Sequence, residues 1–408
     1  EELFFYGMAP PKGLLWVEDF VARAREGRGD PERTAAIGGE EAPSATRFRC
    51  ASWSLEGRRA VPLYRCHRLW TEISRQDLGW AAVAAGDYLA RCVKEDGRFD
   101  YVYLPAIDRS ARSYNIVRHA GTVMSMLDLY SETDEENLLV ASRRALDWLA
   151  AQAEPFGDPA DGMSCFVELG HAGLGDPALA VISMALHEEA TGDRRYRPLM
   201  LRLGRFVEYC IRDDGSFISK LNAETGEPTD FVSQYYPGEA LLALLRLNKV
   251  APDERWVDSA ERGLTWLITV RDRDVTPDTI IHDHWLLYAL DEYYRVRPDP
   301  MVVTHAKKIA SSIMWLQRRE SRFPDWIGSF YNPPRSTPVS TRNEGLLAAI
   351  RLFRAAGEDD MADELMRTLH LAMAFQLQMQ LRPESAMYMG RPEYALGAVR
   401  GGFEQVVV

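Results

Sequence analysis

From residue 77 onward the apolar positions recur at i, i+3 and i+4, the spacing of helices with one buried face. Residues 77–93 set the pattern, with Leu78, Ala81, Ala82, Ala85, Tyr88 and Leu89 on one side. The same spacing predicts helices over 115–131, 135–152, 174–191, 195–212, 237–249, 254–271, 282–296, 300–318, 341–356 and 359–380. Before residue 71 the pattern changes. Residues 14–25 have helical spacing, residues 46–64 alternate as a strand does, and Pro and Gly punctuate the stretch. Residues 1–70 are therefore read as an N-terminal arm or small cap, and residues 71–408 as one helical domain.

The connections between helices alternate in length. Short ones fall at about 132–134, 192–194, 250–253, 297–299 and 357–359, each placing an Asp or its neighbour to cap the next helix. Long ones fall near 94–114, 153–173, 213–236, 272–281 and 319–340. A short connection forces its two helices antiparallel, so strict alternation puts every long loop at one end of the helices. The short turns recur about every 47 to 60 residues, a repeat of helical hairpins. This predicts an all-α fold, an (α/α)6 toroid with inner and outer layers, over a linear solenoid, whose repeats are usually shorter. Two turns, Glu95-Asp96-Gly97-Arg98-Phe99 and Asp213-Asp214-Gly215-Ser216-Phe217, end outer helices with a Gly stop and an aromatic plug. The segment 393–408 is too short for a full twelfth helix, so either the sequence is cut short there or the last hairpin is irregular.

Net charge is −12, with acidic and basic residues interspersed. That disfavours a nucleic-acid binder, which needs a basic stripe to displace counterions. No apolar run approaches the length of a membrane span. The five cysteines are widely spaced and form no Cys-x-x-Cys pair, which argues against a zinc ribbon or a redox motif. The chain opens Glu-Glu-Leu without Met, which leaves its compartment open.

In such a ring, the second helix of each hairpin starts at the long-loop face and lines the centre. Its first turn then points into the mouth of the cavity. Those turns hold Asn115, Arg118 and His119; Asp176; Gln234, Tyr235, Tyr236 and Glu239; His282, Asp283, His284 and Trp285; and Arg342, Asn343 and Glu344. Convergent carboxylates, imidazoles, guanidiniums and aromatics are what a polar-substrate enzyme needs. Each has a structural alternative. Carboxylates cap helix N-termini, histidines satisfy cores, and Arg118 can tie down a loop. Aromatic residues crowd the long loops, and Trp285 and Trp326, each beside an Asp, are the candidate sugar-stacking platforms. His282-x-His284 does not suit a metal on a helix, because i and i+2 face apart. No metal and no cofactor are expected.

The loop alternation and the polar first turns Arg118-His119, Tyr236-Pro237-Gly238-Glu239, Asp283-His284-Trp285 and Arg342-Asn343-Glu344 resemble the six-hairpin α/α toroid superfamily over about residues 77–408. That group holds glycoside hydrolases, polysaccharide lyases and N-acylglucosamine 2-epimerases, so the resemblance implies a carbohydrate-active enzyme with a saccharide substrate. A glycoside hydrolase would use two of Glu239, Asp283 and Glu344 as acid and base, with Arg118, Arg342, Tyr236, Trp285, Trp326 and Asn115 holding the sugar. An epimerase or lyase would use His119 with His284 or His282. A terpene-cyclase-like toroid shares the ring but needs an Asp-rich acid motif that is not evident. A non-catalytic toroid that binds a glycan or partner would show those carboxylates fully paired with arginines. Oligomeric state is left open.

Overall fold

A computed structural model describes residues 51–104, 108–110, 113–387 and 389–402. The helix expected over 14–25 lies outside the described residues. All eleven later helices are present: α1 (Arg75–Cys92), α2 (Ile116–Thr133), α3 (Glu136–Ala151), α4 (Gly175–Thr191), α5 (Arg197–Tyr209), α6 (Tyr236–Val250), α7 (Glu254–Trp266), α8 (His284–Val296), α9 (Pro300–Leu316), α10 (Ser336–Ala355) and α11 (Asp359–Met379). Two four-residue helices, α12 (Pro383–Ala386) and α13 (Pro392–Ala395), follow. The strand-like alternation near 46–64 is a hairpin, β1 (Ser52–Glu56) with β2 (Arg59–Leu63). Arg68 ties the chain after this hairpin to Glu56 and, near the other end of the chain, to Glu384.

The helices form two layers. α2, α4, α6, α8 and α10 stand side by side in that order, and each packs on an outer partner from α1, α3, α5, α7, α9 and α11. The inner helices are apolar on nearly every face because protein surrounds them. Residues 175–188 of α4 are all buried, Asp176, His187 and Glu188 included. The outer helices keep a solvent face. Short strands decorate the long loops: β3 (Tyr103–Leu104) with β4 (Arg109–Ser110), β5 (Glu154–Phe156) with β6 (Met163–Cys165), and β7 (Val167–Glu168), β8 (His171–Gly173) and β9 (Lys220–Asn222) in one sheet.

Some boundaries differ from expectation. Helix α10 starts at Ser336, five residues early, because Pro338 falls in the first turn, where its missing N–H breaks no helical bond. Arg342, Asn343 and Glu344 are therefore not first-turn residues. Glu344 lies eight residues in, about 12 Å below the helix start at 1.5 Å per residue. His282 precedes α8, whose cap is Asp283. The expected helix over 254–271 turns from α to π at Leu267. Of the expected short-turn caps, Asp253 and Asp299 accept backbone N–H bonds, while α3, α5 and α11 begin without a side-chain cap.

Ring closure rests on one device used four times. Gly97, Gly215, Gly328 and Gly397 have φ of 88°, 85°, 87° and 88°. A Cβ on them would collide with the carbonyl oxygens of Arg144, Arg262, Leu371 and Ala84 respectively. Each glycine ends a reversal stitched by the same pair of backbone bonds. Lys94, Arg212, Arg318 and Leu381 donate to the carbonyls of Arg98, Ser216, Ser329 and Ala398, and the four glycines donate back. The turn after α1 thus seats on α3, that after α5 on α7, that after α9 on α11, and that after α11 on α1. The last of these closes the circle. The sequence displays the first two as compact motifs, but the insertions in the other two hide them. Where a twelfth long helix would stand, α12 and α13 sit inside the fourth reversal. Gln380 Nε2 donates to Ala81 O at 2.8 Å, and the Tyr394 hydroxyl donates to Asp100 Oδ2 at 3.1 Å, fastening this end to α1 and its turn. Among the described residues there is no sixth long inner helix.

Candidate active site

A cavity of about 560 Å³ opens on the long-loop face where α6, α8 and α10 begin. Its lining includes Tyr235, Glu239, Asp278, His282, His284, Trp285, Tyr331 and Arg342. The loop before α8 supplies one wall, the Phe330–Tyr331 stretch another, and the first two turns of α10 a third.

Arg342 is the best-anchored group. Its Nε and Nη2 donate to His282 Nδ1 at 3.1 and 2.8 Å, Nη2 also donates to Tyr331 Oη at 3.2 Å, and Nη1 donates to Pro338 O at 2.8 Å. The guanidinium lies 4.9 and 5.1 Å from the ring centres of Phe330 and Tyr331. Since arginine can only donate, His282 Nδ1 must accept, so its proton sits on Nε2 and is donated to Ser312 Oγ at 2.8 Å. Burial and then the Arg342 charge lower the His282 pKa to about 4. His282 thus supports Arg342 as a hydrogen-bond acceptor. Among the described residues Arg342 has no carboxylate partner.

His284 opens α8 with its ring against Trp285, 4.7 Å between centres. Its Nδ1 has no hydrogen-bond partner, and its Nε2 stands 3.8 Å from Glu344 Oε2. Burial and then Arg342 push its pKa down to about 4, so the ring is neutral and the contact is not an ion pair. Glu344 keeps 44% of its side chain accessible, yet protein atoms crowd round it. Desolvation, and secondarily the carboxylate of Asp128 on α2, raise its pKa to about 7. Glu344 is not part of the cavity lining and meets it through His284.

Glu239 and Asp283 behave differently. Asp283 is fully buried and does not line the cavity; its Oδ1 accepts from Leu286 N, capping α8. Burial raises its pKa to about 7, with Arg271 opposing. Its place is that of a helix cap, sealed off from the cavity mouth where the sequence pattern put it. Glu239 reaches the lining but is only 3% exposed, packed where Gly175 leaves room. Burial, then Asp283 and Asp176, hold its pKa well above the ordinary carboxylate range. Asp176 sits beside this group, its pKa raised to about 7 by burial and then by Glu168. Among the described residues, none of the carboxylates at 176, 239, 283 and 344 forms an ion pair with an arginine.

The remaining expected residues are scattered. His119 is not at the cavity. Tyr114 Oη and Ala145 O occupy both of its ring nitrogens, at 2.7 and 3.0 Å, and Phe99 and Trp148 pack on its ring. Its pKa falls to about 4 through burial, and it joins α2 to α3 as a core histidine, away from the cavity mouth where the sequence pattern put it. Asn115 caps α2 through Arg118 N. Arg118 is exposed and donates to Tyr101 Oη at 2.9 Å, outside the cavity lining. Tyr236 packs under Phe231 beside Gly173 and Gly175. Trp285 lines the cavity, whereas Trp326 lines a neighbouring cleft of about 430 Å³ with Arg318, Ser321, Arg322, Phe323, Asn332 and Pro333. Asp278, Thr279, Thr337 and Thr341 line the main cavity and were missed, since a polar loop and a Pro-containing first turn carry no periodic signal.

Among solved structures, the chain is similar to D-mannose isomerase (TM-score 0.58, 11% identity, covering 76% of this chain and 87% of that one). It is similar also to the cellobiose 2-epimerase of Spirochaeta thermophila (0.59, 14%, 81% and 93%). A third match is an α-1,6-mannanase of Salegentibacter in an inactive form, two consecutive aspartates replaced by asparagine, with α-1,6-mannotriose bound (0.56, 13%, 81% and 96%). The fold is the (α/α)6 toroid. At these identities the likeness speaks to the toroid alone. No protein-family model matches the chain, and no curated protein does either. No helix among the described residues is long and apolar enough to cross a membrane, and no cluster among them suits a metal ion.

Proposed function

We propose that this toroid is a carbohydrate-active enzyme that binds a saccharide in the cavity between α6, α8 and α10, with Glu344 as its proton-transferring acid. The observation that carries this is Glu344 itself: a carboxyl 44% accessible, 3.8 Å from the cavity-lining His284, with a pKa raised to about 7 by desolvation and no arginine partner among the described residues. An acid poised near neutral pH can protonate a glycosidic oxygen, the role that glycoside hydrolysis demands. Arg342 and the faces of Trp285 and Tyr331 hold the sugar. Asp278, an exposed carboxylate on the same lining, is the candidate partner base. The similar toroids named above act on or bind mannose, cellobiose and mannotriose, which supports a sugar ligand.

The mannanase is inactive without its two consecutive aspartates. Here Asp213-Asp214 and Asp359-Asp360 are exposed at the ends of outer helices α5 and α11. The hydrolase reading therefore rests on Glu344. A second reading, epimerisation or isomerisation at a sugar carbon, is favoured by the His284–Glu344 contact, in which His284 would hand protons across while Nδ1 stays free. His119 takes no part in it.

One experiment separates the two. The full chain and Glu344→Gln are incubated in D₂O with mannose, cellobiose and α-1,6-mannotriose. Release of new reducing ends, lost in the variant, supports hydrolysis. Deuterium at C2 without bond cleavage supports epimerisation. No turnover and no binding of any sugar, with both proteins folded, would overturn the carbohydrate reading.

A further inference from the structure

We infer that the ligand is an acidic saccharide, its sugar carboxylate held by Arg342 and Tyr331, with a second subsite for a further acidic residue at Arg318 and Arg322. This rests on the saccharide reading above and names its substrate class.

The argument starts from charge. The chain as a whole is strongly acidic. Inside the cavity the lining carries a single guanidinium, Arg342, and a single exposed carboxylate, Asp278, on the loop before α8. His282 and His284 are neutral, and burial drives Glu239 toward its protonated form. Arg342 donates only to neutral acceptors: an imidazole nitrogen, a phenol oxygen and a backbone carbonyl. A guanidinium 8% exposed and lacking a carboxylate has given up most of its hydration without gaining a counterion. Its surroundings leave donors for one. Nη1 carries two N–H groups and spends one on Pro338 O. Tyr331 Oη accepts from Arg342, so its own O–H remains to donate, and this tyrosine is 46% exposed on the cavity wall. Two donors and one positive charge, converging from a rigid support, suit a carboxylate.

The neighbouring cleft repeats the chemistry. It adjoins the main cavity through the segment that supplies Tyr331 to one and Asn332 and Pro333 to the other. Arg318 donates to Ser329 Oγ at 2.6 Å and to Tyr331 O at 2.9 Å and lies over Trp326, 5.3 Å to the ring centre. Arg322 is exposed and lies over Phe323 at 4.5 Å. Neither has a carboxylate partner among the described residues, unlike Arg297, Arg351 and Arg354. Guanidiniums held on aromatic rings and lacking a carboxylate offer a sugar's carboxylate a counter-charge.

The test is calorimetric titration of the full chain with galacturonate, trigalacturonate, galactose, maltotriose and a sulfated galactose. At low salt, galacturonate should bind at least tenfold tighter than galactose, with an advantage that shrinks as salt rises. Trigalacturonate should bind tighter still. Arg322→Ala should weaken trigalacturonate severalfold and leave galacturonate unchanged. Tyr331→Phe keeps the ring and should weaken galacturonate three- to tenfold, guarding against an Arg342→Gln that fails to fold. Neutral sugars binding as well as acidic ones would overturn this inference while sparing the saccharide reading. Preference for the sulfated sugar over galacturonate would overturn the carboxylate assignment. Binding of no sugar would overturn both.

Discussion

Asp283→Asn is the sharpest test of how the buried carboxyls behave. Asp283 is fully buried, caps α8 through Oδ1, and leaves Oδ2 without a partner, close to Gly238. Its pKa rises from the ordinary 3.8 to about 7, chiefly because burial strips water from the charged form. Three units at about 1.4 kcal/mol each give about 4 kcal/mol against ionisation, and relaxation trims this to about 2–4 kcal/mol. The sign follows from linkage. An acid with a folded pKa above its unfolded value holds a proton in the native state that the unfolded chain has released. Stability therefore falls as pH rises from about 4 to about 7, and the loss is complete above that window. Asparagine keeps the cap oxygen and removes the charge. The variant should match the wild type at pH 4 and exceed it by about 2–4 kcal/mol at pH 8, about 2–5 °C in Tm for a chain of this length. Scanning calorimetry of both proteins from pH 4 to 8 measures the difference. If Asp283→Asn is destabilised more at pH 8 than at pH 4, the ionised carboxylate is stabilising and the reasoning fails.

Glu344→Gln should lower kcat at least a hundredfold with Tm nearly unchanged, and wild-type kcat should decline above about pH 7 as the acid loses its proton. Retained activity, or a profile flat through pH 8, would remove Glu344 from catalysis. His119→Ala should cost about 2–4 kcal/mol of stability in thermal denaturation while leaving kcat intact, since its bonds to Tyr114 and Ala145 are internal. Gly97→Ala and Gly397→Ala should each cost about 2–4 kcal/mol, because strain at positive φ adds to collision with a neighbouring carbonyl. Gly192→Ala, also at positive φ but with open space around it, should cost only about 1 kcal/mol. Equal losses at all three glycines would mean that seating on the next helix contributes nothing.

Helix periodicity and loop alternation were enough to place all eleven long helices and their two layers. Those signals are local, and burial of a helix face writes itself into the sequence every three or four residues. The Gly97 and Gly215 reversals were legible for the same reason, being compact. Their equivalents at Gly328 and Gly397 were not, because insertions separate residues that only the folded chain brings together. The cavity-facing polar residues were legible only as a set. His119 and His284 look alike from their helix positions. Yet one ring is wedged between two helices with both nitrogens used, and the other lines the cavity with one nitrogen free. Asp283 and Glu344 are both carboxylates near a helix start, but a boundary displaced by five residues at α10 sets Glu344 lower in the ring, while Asp283 is sealed as a cap. The sequence by itself determined where helices run and which ends share loops. Only tertiary structure decided which polar group meets water, which meets carbonyls and which meets Arg342, because a side chain's pKa and reach depend on neighbours from distant hairpins.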